Sequence, residues 1–202
     1  MLRAGEILGN RYEIIELVGT GGMASVYKAK DHRLNRLVAI KVLDSQFGDD
    51  QDFIKKFNIE AQSAAAFVHP NIVSIYDVGD EKGLHFIVME YIDGETFKKY
   101  ISSKGYLDAE QIVSLSIQIA SGIKAAHDNK TIHRDIKPQN ILILSDGTTA
   151  KVTDFGIAKT SNTSTVQTIT MGSVHYLPPE QARSGRTRRP TYSGAATDQT
   201  FV

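Results

Sequence analysis

The 202-residue sequence contains no cysteine, which excludes disulfides and thiolate metal sites and suits a reducing compartment. Its six histidines show no metal-ligand spacing, which argues against a zinc site. The 23 basic and 23 acidic residues cancel, so no net charge favours binding to nucleic acid or a membrane surface. The hydrophobic content of 41% is ordinary for a globular protein and is sufficient for a buried core.

Long apolar runs are also absent from the sequence. Residues 1–25 contain no apolar stretch of signal-peptide length, and no later run approaches the roughly eighteen apolar residues that span a bilayer. We therefore expect no membrane segment in this chain and a cytoplasmic location. Apolar residues become scarce over residues 184–202, which are rich in Arg, Thr, Gly, Ser and Ala, and this composition predicts a disordered or non-native tail.

The most informative stretch is His-Arg-Asp-Ile-Lys-Pro-Gln-Asn at residues 133–140, followed by Asp-Phe-Gly at residues 154–156. Apolar residues on both sides of Ser-Asp-Gly-Thr at residues 145–148 predict two antiparallel strands joined by a tight turn. That hairpin would bring Asn140 and Asp154 together at its open end. An amide oxygen and a carboxylate oxygen placed side by side are suitable ligands for Mg²⁺.

Asp135 and Lys137 lie on the turn that leads into this hairpin. Asp135 is placed to accept a proton from an incoming hydroxyl, and Lys137 to neutralise a phosphoryl group during transfer. Asp-Phe-Gly alone is a common tripeptide, and a buried polar turn is the alternative interpretation. The specific eight-residue motif followed by a second motif at this spacing makes that alternative much less favourable.

A glycine-rich turn, Gly-Thr-Gly-Gly-Met-Ala, lies between two segments rich in β-forming residues, residues 11–18 and 25–30. Its Gly19, Gly21 and Gly22 would let backbone N–H groups approach phosphate oxygens closely. A flexible hairpin turn without ligand is an equally good interpretation of this segment alone.

Residues 37–43 predict a buried strand in which Lys41 and Ala39 share one face. A buried lysine needs an anionic partner, unless it reaches solvent at a strand edge. An apolar stripe after this strand predicts an amphipathic helix. The stripe consists of Phe53, Phe57, Ala61 and Ala64. Glu60 lies beside it and is the natural partner for Lys41, although a solvated glutamate is the alternative.

Two more predicted strands, residues 72–78 and 84–90, complete a five-stranded sheet with one inserted helix. A short helix through Tyr100 follows, and a capping box that begins at Asp108 opens a longer helix. The predicted inner face of the longer helix comprises Ile112, Ser116, Ile119, Ala120, Ile123 and Ala126.

Taken in order, these motifs resemble those of protein kinases. The resemblance covers residues 8–183 and is greatest to bacterial eukaryotic-like Ser/Thr kinases, including the receptor kinases with PASTA repeats. It implies an α+β, bilobal kinase-like fold: a small antiparallel β lobe with one helix and the hinge over residues 1–92, and an incomplete, mainly helical large lobe over residues 93–183. By family pattern, Lys137 marks Ser/Thr rather than tyrosine specificity.

The resemblance also implies ATP and Mg²⁺, or Mn²⁺ in its place, as cofactors. Asp135, Lys137 and Asn140 take the catalytic positions, and Asn140 and Asp154 are the metal ligands. Met89 is the gatekeeper behind the adenine, which the backbone from Glu90 to Ile92 would hydrogen-bond. The implied nucleotide-binding residues are Gly19, Gly21, Gly22, Val26, Ala39, Lys41, Glu60, Met89, Glu90, Ile92, Leu142 and Asp154.

Regulation by phosphorylation is implied by Arg134, which in this family marks kinases whose activation segment is ordered by a phosphothreonine. The implied regulatory residues are Arg134, Thr163, Thr165, Thr168, Thr170 and Ser173. A merely polar loop is the alternative for at least two of these threonines. The implied partners are proteins with Ser or Thr and a second copy of the chain for trans-autophosphorylation, not nucleic acid; full-length relatives are often single-pass membrane proteins.

Two functions follow from this interpretation. The first is ATP-dependent phosphoryl transfer to Ser/Thr hydroxyls of proteins, including autophosphorylation, in bacterial signalling. The alternative is a truncated, weakly active or inactive nucleotide-binding or scaffold fragment of such a kinase. This alternative is suggested by the lack of further apolar helices in the sequence after residue 183. Each Å² of apolar surface that stays in water forgoes about 25 cal/mol of folding free energy.

Overall fold

The computed structural model describes residues 1–65, residues 68–155 and Tyr176, except for four side chains inside the first helix. Those four side chains belong to Lys56, Glu60, Ser63 and Ala64. The strands are β1 (Ile7–Leu8), β2 (Tyr12–Thr20), β3 (Ala24–Asp31), β4 (Arg36–Leu43), β5 (Ile75–Glu81), β6 (Leu84–Glu90), β7 (Gly94–Thr96), β8 (Ile141–Leu144) and β9 (Ala150–Val152). The α-helices are α1 (Gln51–Ala65), α2 (Phe97–Lys104) and α3 (Ala109–Asp128).

The first sheet has the order β1-β2-β3-β4-β6-β5 and is antiparallel throughout. Its five predicted strands are confirmed, and β1 is an additional strand too short to show a sequence pattern. β5 begins at Ile75, three residues later than predicted. The reason is that Ile72 instead forms a bridge with Val152 of the second sheet.

Strand β4 lies inside the first sheet and is buried on both faces. Val38, Ile40 and Val42 pack in one apolar cluster, whereas Ala39 packs in another. The predicted alternation along this strand is therefore confirmed. Because β4 is flanked by β3 and β6, Lys41 cannot be a lysine at a strand edge.

Helix α1 packs against the first sheet through Phe57 and Ala61, which are both 1% exposed. Asp50 caps its start, accepting the N–H groups of Asp52 at 2.9 Å and Phe53 at 3.3 Å. The predicted helix is confirmed.

The second sheet has the order β7-β8-β9, and α2 and α3 pack against it. The predicted β8–β9 hairpin is confirmed, while the three-residue strand β7 was not predicted. β7 approaches β8 so closely that a Cβ at Gly94 would collide with the Ile143 carbonyl oxygen. Likewise, a Cβ at Gly122 of α3 would lie 2.7 Å from the Asn71 carbonyl oxygen, so both contacts require glycine.

The predicted inner face of α3 is partly wrong. Ala126 is buried and Ile119 contacts the core, but Ile112 is 48% exposed, and Ser116 and Ala120 are exposed. Leu115, which is 1% exposed, packs in the core instead. Apolar residues occur on all sides of this helix, so their spacing alone does not identify the face that contacts the sheet.

None of the helices in the described residues is both long enough and apolar enough to cross a membrane.

Candidate active site

The β8–β9 hairpin is held in place by polar contacts from α3 and by its own backbone. Gln118 of α3 accepts the Ala150 N–H at 2.9 Å and donates to the Thr148 carbonyl oxygen at 2.7 Å. At the open end of the hairpin, the Thr153 N–H donates to the Asn140 carbonyl oxygen at 3.0 Å. Asp154 directly follows Thr153, so this bond brings Asp154 and Asn140 to the same end of the hairpin, as predicted.

Asp135, Lys137 and Asn140 form one hydrogen-bonded cluster. Lys137 Nζ lies 2.7 Å from Asp135 Oδ2, and Asn140 Nδ2 lies 3.0 Å from the same oxygen. Asn140 Nδ2 also donates to the Asp135 backbone oxygen at 2.9 Å. Two donors, one of them charged, stabilise Asp135 as a carboxylate and fix its direction. Because its amide nitrogen faces Asp135, Asn140 turns its Oδ1 away from that carboxylate.

His133 stabilises this cluster through hydrogen bonds to its backbone, a role that the sequence did not indicate. Its side chain is 2% exposed, Nδ1 accepts the Asp135 N–H at 3.3 Å, and Nε2 lies 2.9 Å from the Thr153 carbonyl oxygen. Burial lowers the pKa of His133, so the ring is neutral and carries its proton on Nε2. The ring also packs 4.7 Å from the Phe155 ring. His133 thus joins residues 133–140, called the catalytic loop after the kinase motif that they resemble, to the segment that carries Asp154.

Arg134 and Asp154 both have left-handed backbones, with φ of 64° and 56°. A non-glycine residue in this region costs on the order of 1–3 kcal/mol and persists only where surrounding contacts impose it. Here the hydrogen bonds of His133, which precedes Arg134, and of Thr153, which precedes Asp154, impose these backbone conformations. The two unusual residues flank the same cluster, which is where such strain is found in functional sites.

Lys41 has an anionic partner, as its burial requires. Lys41 is 8% exposed, and its Nζ lies 2.8 Å from Asp154 Oδ1. Burial alone would raise the pKa of Asp154, but the charge and hydrogen bond of Lys41 hold that pKa below its usual range. Asp154 is therefore a carboxylate at neutral pH. The Glu60 side chain lies outside the described residues, so its pairing with Lys41 stays a prediction.

An apolar cluster, called the slot below, adjoins this ion pair. Ala39 and Met89 are buried there with Val73, and Val26, Ile92 and Leu142 pack against them. Five residues predicted to contact the nucleotide thus lie in one cluster, although they come from separate parts of the chain. Those five residues are Val26, Ala39, Met89, Ile92 and Leu142. An apolar environment of this kind suits a flat aromatic ring.

A small cavity of about 20 Å³, enough for about one water molecule, lies beside both this cluster and the ion pair. Its lining residues are Lys41, Ala61, Val73, Ile75, Ile87, Met89, Thr153, Asp154 and Phe155.

The glycine-rich turn is aligned with Lys41 by the register of three strands. Gly19 of β2 lies opposite Val26 of β3, and Val26 lies opposite Lys41 of β4. The turn is closed by a hydrogen bond of 2.8 Å from the Gly21 N–H to the Ala24 carbonyl oxygen. A phosphate chain reaching Lys41 from the slot would therefore run beneath this turn.

The predicted hinge is the backbone from Glu90 to Ile92, and one of its hydrogen-bonding groups is already used within the fold, because the Glu90 N–H donates to the Ser74 carbonyl oxygen at 2.9 Å. The predicted regulatory residues after Arg134 cannot be placed. Thr163, Thr165, Thr168, Thr170 and Ser173 lie outside the described residues. Their roles stay predictions.

A model of the protein kinase domain matches residues 12–197 of the chain. The chain belongs to the protein kinase domain family. The match extends beyond residue 183, where the recognisable resemblance ended.

This kinase domain is similar to bacterial Ser/Thr kinases over most of its length. It is 51% identical over 183 residues to serine/threonine-protein kinase PrkC of Bacillus subtilis, covering 90% of the chain and 28% of that relative. It is 41% identical over 184 residues to serine/threonine-protein kinase PknB of Mycobacterium tuberculosis, covering 87% and 29%. The chain thus spans less than a third of the length of these relatives.

Solved structures share the α+β, bilobal kinase fold. The PknI kinase domain of Mycobacterium tuberculosis matches with a TM-score of 0.68 and 26% identity, over 78% of this chain and 64% of that one. A structure of Rad53 1-466 in complex with AMP-PNP matches with a TM-score of 0.63 and 30% identity, over 73% of this chain and 38% of that one.

Protein kinases generally use ATP and Mg²⁺. The donor set fits such a metal: Asn140 and Asp154 offer hard oxygen ligands at one end of the hairpin, and the lowered pKa of Asp154 keeps its charge. Within the residues that the structure describes, no group of three or more His, Asp and Glu side chains could hold a metal by itself. That arrangement suits Mg²⁺, which in such sites takes most of its remaining ligands from phosphate and water.

Proposed function

We propose that this kinase domain transfers the γ-phosphoryl group of ATP to serine and threonine hydroxyls of proteins. The observation that carries this proposal is the cluster of Asp135, Lys137 and Asn140, held beside the Lys41–Asp154 ion pair. Two carboxylates, two cationic side chains and an amide oxygen, brought together around the open end of the hairpin, are the parts that phosphoryl transfer needs.

Asp135 would act on the hydroxyl of the protein substrate. Its carboxylate is fixed by Lys137 and Asn140, so it can orient the hydroxyl and accept its proton as the oxygen attacks phosphorus. The new O–P bond replaces the bond from the γ-phosphorus to the bridging oxygen, and ADP leaves. Lys137 would offset the negative charge on the transferred group.

The nucleotide would lie between the apolar slot and the ion pair. Val26, Ala39, Met89 and Leu142 would enclose the adenine, and backbone groups between Glu90 and Ile92 would hydrogen-bond its edge. Lys41 and the glycine-rich turn would contact the phosphates. Rad53 1-466, which has a similar fold, was solved in complex with AMP-PNP, and this supports nucleotide binding by such a fold.

Asn140 and Asp154 would hold Mg²⁺, or Mn²⁺ in its place. When bound, the ion supplies positive charge to the phosphates and stabilises the departing ADP. Lys41 also has a role here, because its direct contact with Asp154 keeps that carboxylate ionised and directed into the site. Arg134 would bind a phosphothreonine of the activation segment, among Thr163, Thr165, Thr168 and Thr170.

The wider biological role is part of the same proposal. We place the domain in bacterial signalling, in the cytoplasm where ATP is supplied, with protein substrates and a second copy of the chain as partners in trans-autophosphorylation. The 41–51% identity to bacterial Ser/Thr kinases supports this role.

One observation favours a second function, that of a nucleotide-binding scaffold with weak transfer. Ile112, Val113 and Ile117 on the outer side of α3 are 48%, 57% and 65% exposed. Exposed apolar residues on one helix are typical of a surface that another segment or protein covers.

One experiment tests both functions. The purified chain is titrated with Mg·ATP by calorimetry and then incubated with γ-³²P-labelled ATP and casein, with and without EDTA. The proposed function predicts nucleotide binding and metal-dependent labelling on serine and threonine. Binding without labelling would support the scaffold, and no binding at millimolar ATP would contradict both.

A further inference from the structure

A partly buried ion pair joins the two sheets at Glu90, where the predicted hinge begins. Glu90, the last residue of β6 in the first sheet, accepts Lys151 Nζ with both carboxylate oxygens, at 2.8 and 2.9 Å. Lys151 lies on β9 of the second sheet, three residues before Asp154. The Lys151 and Glu90 side chains are only 13% and 24% exposed.

The same carboxylate also binds a third segment. The Ser74 N–H donates to Glu90 Oε2 at 3.2 Å, and the Glu90 N–H donates back to the Ser74 carbonyl oxygen at 2.9 Å. Next to Ser74, the Val73 N–H donates to the Val152 carbonyl oxygen at 2.9 Å. Together with the ion pair, these backbone contacts form a closed ring that links the two sheets. We call Glu90, Lys151 and Ser74 the hinge clamp.

The hinge clamp is built to resist movement. Charge-assisted hydrogen bonds are about twice as strong as neutral ones, and limited exposure reduces their screening by solvent. Removing one member leaves the other charge poorly solvated, so each residue depends on its partner. The clamp therefore holds the end of β6 and the strand that leads to Asp154 at a fixed separation.

That separation matters for the proposed function, on which this inference rests. The backbone that follows Glu90 would bind the adenine, and Asp154 would hold the metal at the phosphates. A nucleotide that contacts both ends gains affinity when their spacing is already correct, because no ordering cost is left to be met on binding. A ligand that contacts only the adenine end gains nothing from this spacing.

We propose that the Glu90–Lys151 pair is a positioning device that sets the distance between the adenine-binding backbone and Asp154. It acts through Asp154 and need not touch the nucleotide. It is therefore a positioning pair, and its loss should weaken ligands that span the site more than ligands that bind the slot alone.

The test compares two ligands in matched variants. Dissociation constants for Mg·ATP and for adenosine are measured by competition against a fluorescent ATP analogue, in the wild type, Lys151→Met and Lys124→Met. Lys124 is the control because its ion pair with Asp128 on α3 is exposed, with a distance of 2.6 Å. Both substitutions remove one lysine charge and keep a flexible side chain.

We expect Lys151→Met to weaken Mg·ATP on the order of tenfold more than adenosine, and Lys124→Met to leave the ratio unchanged. A role in folding alone would lower the melting temperature and weaken both ligands equally. Equal weakening, or a ratio that does not change, would overturn the inference.

Glu90→Gln is the second variant, in case Lys151→Met does not fold. Glutamine keeps the size of the side chain and can still accept the Ser74 N–H, but it loses the charge. The same change in the ratio is expected, in the same direction and smaller. If the wild type binds adenosine but not Mg·ATP, the proposed function has failed; if it binds both and neither variant changes the ratio, only the hinge clamp has failed.

Discussion

The first sheet and the catalytic loop are stabilised by different kinds of contact. In the first sheet, Val38, Ile40 and Val88 are at most 1% exposed, and continuous antiparallel pairing joins the strands that carry them. In the loop, the polar side chains of His133, Asp135 and Asn140 bond to one another or to the backbone. The sheet is held mainly by apolar burial, and the loop by directed hydrogen bonds.

This difference separates stability from chemistry. Apolar burial depends on volume and tolerates similar side chains, whereas a directed hydrogen bond depends on one atom in one place. Substitutions in the sheet interior should therefore act mainly on the free energy of unfolding. Substitutions in the loop should act mainly on phosphoryl transfer.

The largest expected effect is that of Asp135→Asn in the loop. Asparagine keeps the size of the side chain but cannot take the proton of the substrate hydroxyl, so transfer should fall by about 10²- to 10⁴-fold. Affinity for Mg·ATP should change little, because Asp135 acts on the hydroxyl. Initial rates with labelled ATP measure the transfer, and calorimetry measures the Kd for Mg·ATP.

Asp80→Asn is the matched control for that prediction, since Asp80 is exposed on β5 of the first sheet. It should leave both transfer and nucleotide affinity unchanged. Equal transfer rates for the wild type and Asp135→Asn would contradict the assigned role of Asp135.

The same difference explains what could be predicted from the sequence. Strand β4 and helix α1 were predicted because alternation and three-to-four spacing are local signals. The motif residues were predicted by resemblance, and the structure brings Asn140 and Asp154 together. That resemblance did not indicate which contacts hold the motif.

Contacts between distant residues left no local signal. The bond from His133 to Thr153 joins residues twenty apart, and that from Lys151 to Glu90 joins residues 61 apart. The inner face of α3 was partly missed for a similar reason, because Gln118 is polar and yet faces the sheet to bond with β9. A partly buried polar residue of this kind opposes the hydrophobic pattern from which a helix face is predicted.

The next largest effect is expected in the interior of the first sheet. Ile40 on β4 is fully buried, so Ile40→Ala should lower the free energy of unfolding by about 2–5 kcal/mol through lost burial and a cavity. Leu37 lies on the same strand but is 45% exposed, so Leu37→Ala should cost less than about 1 kcal/mol. Urea unfolding measures both, and equal costs would argue against burial as the main source of stability.

A smaller effect should follow from a polar contact outside the catalytic cluster. Gln118→Met removes the partners of the Ala150 N–H and the Thr148 carbonyl oxygen, at a cost of about 1–3 kcal/mol. Glu110→Met, at an exposed position of the same helix, is the control for the apolar substitution. If the two variants unfold at the same urea concentration, the hydrogen bonds from Gln118 to the hairpin contribute little to the free energy of unfolding, and the prediction is wrong.

The smallest effect concerns a polar contact within the first sheet, which is the exception to its apolar character. Arg11 donates to both oxygens of Asp31 at 2.8 and 2.7 Å, and the backbone N–H groups of Arg33 and Leu34 lie within 3.3 Å of Asp31 Oδ1. The hydrogen bond from Arg11 is the main cause that lowers the pKa of Asp31 to about 2.

Because the pKa of Asp31 is lower in the folded than in the unfolded chain, its stabilisation is complete above about pH 4 and is lost as the pH falls to about 2. The difference in unfolding free energy between the wild type and Asp31→Asn should therefore shrink over this range, as measured by urea unfolding at each pH. In an Arg11→Met background the same substitution should show a much weaker pH dependence, because the main cause of the lowered pKa is gone. A difference in unfolding free energy that is constant with pH in both backgrounds would contradict this prediction. It would mean that Asp31 stabilises the sheet through its shape and through hydrogen bonds that do not depend on its charge.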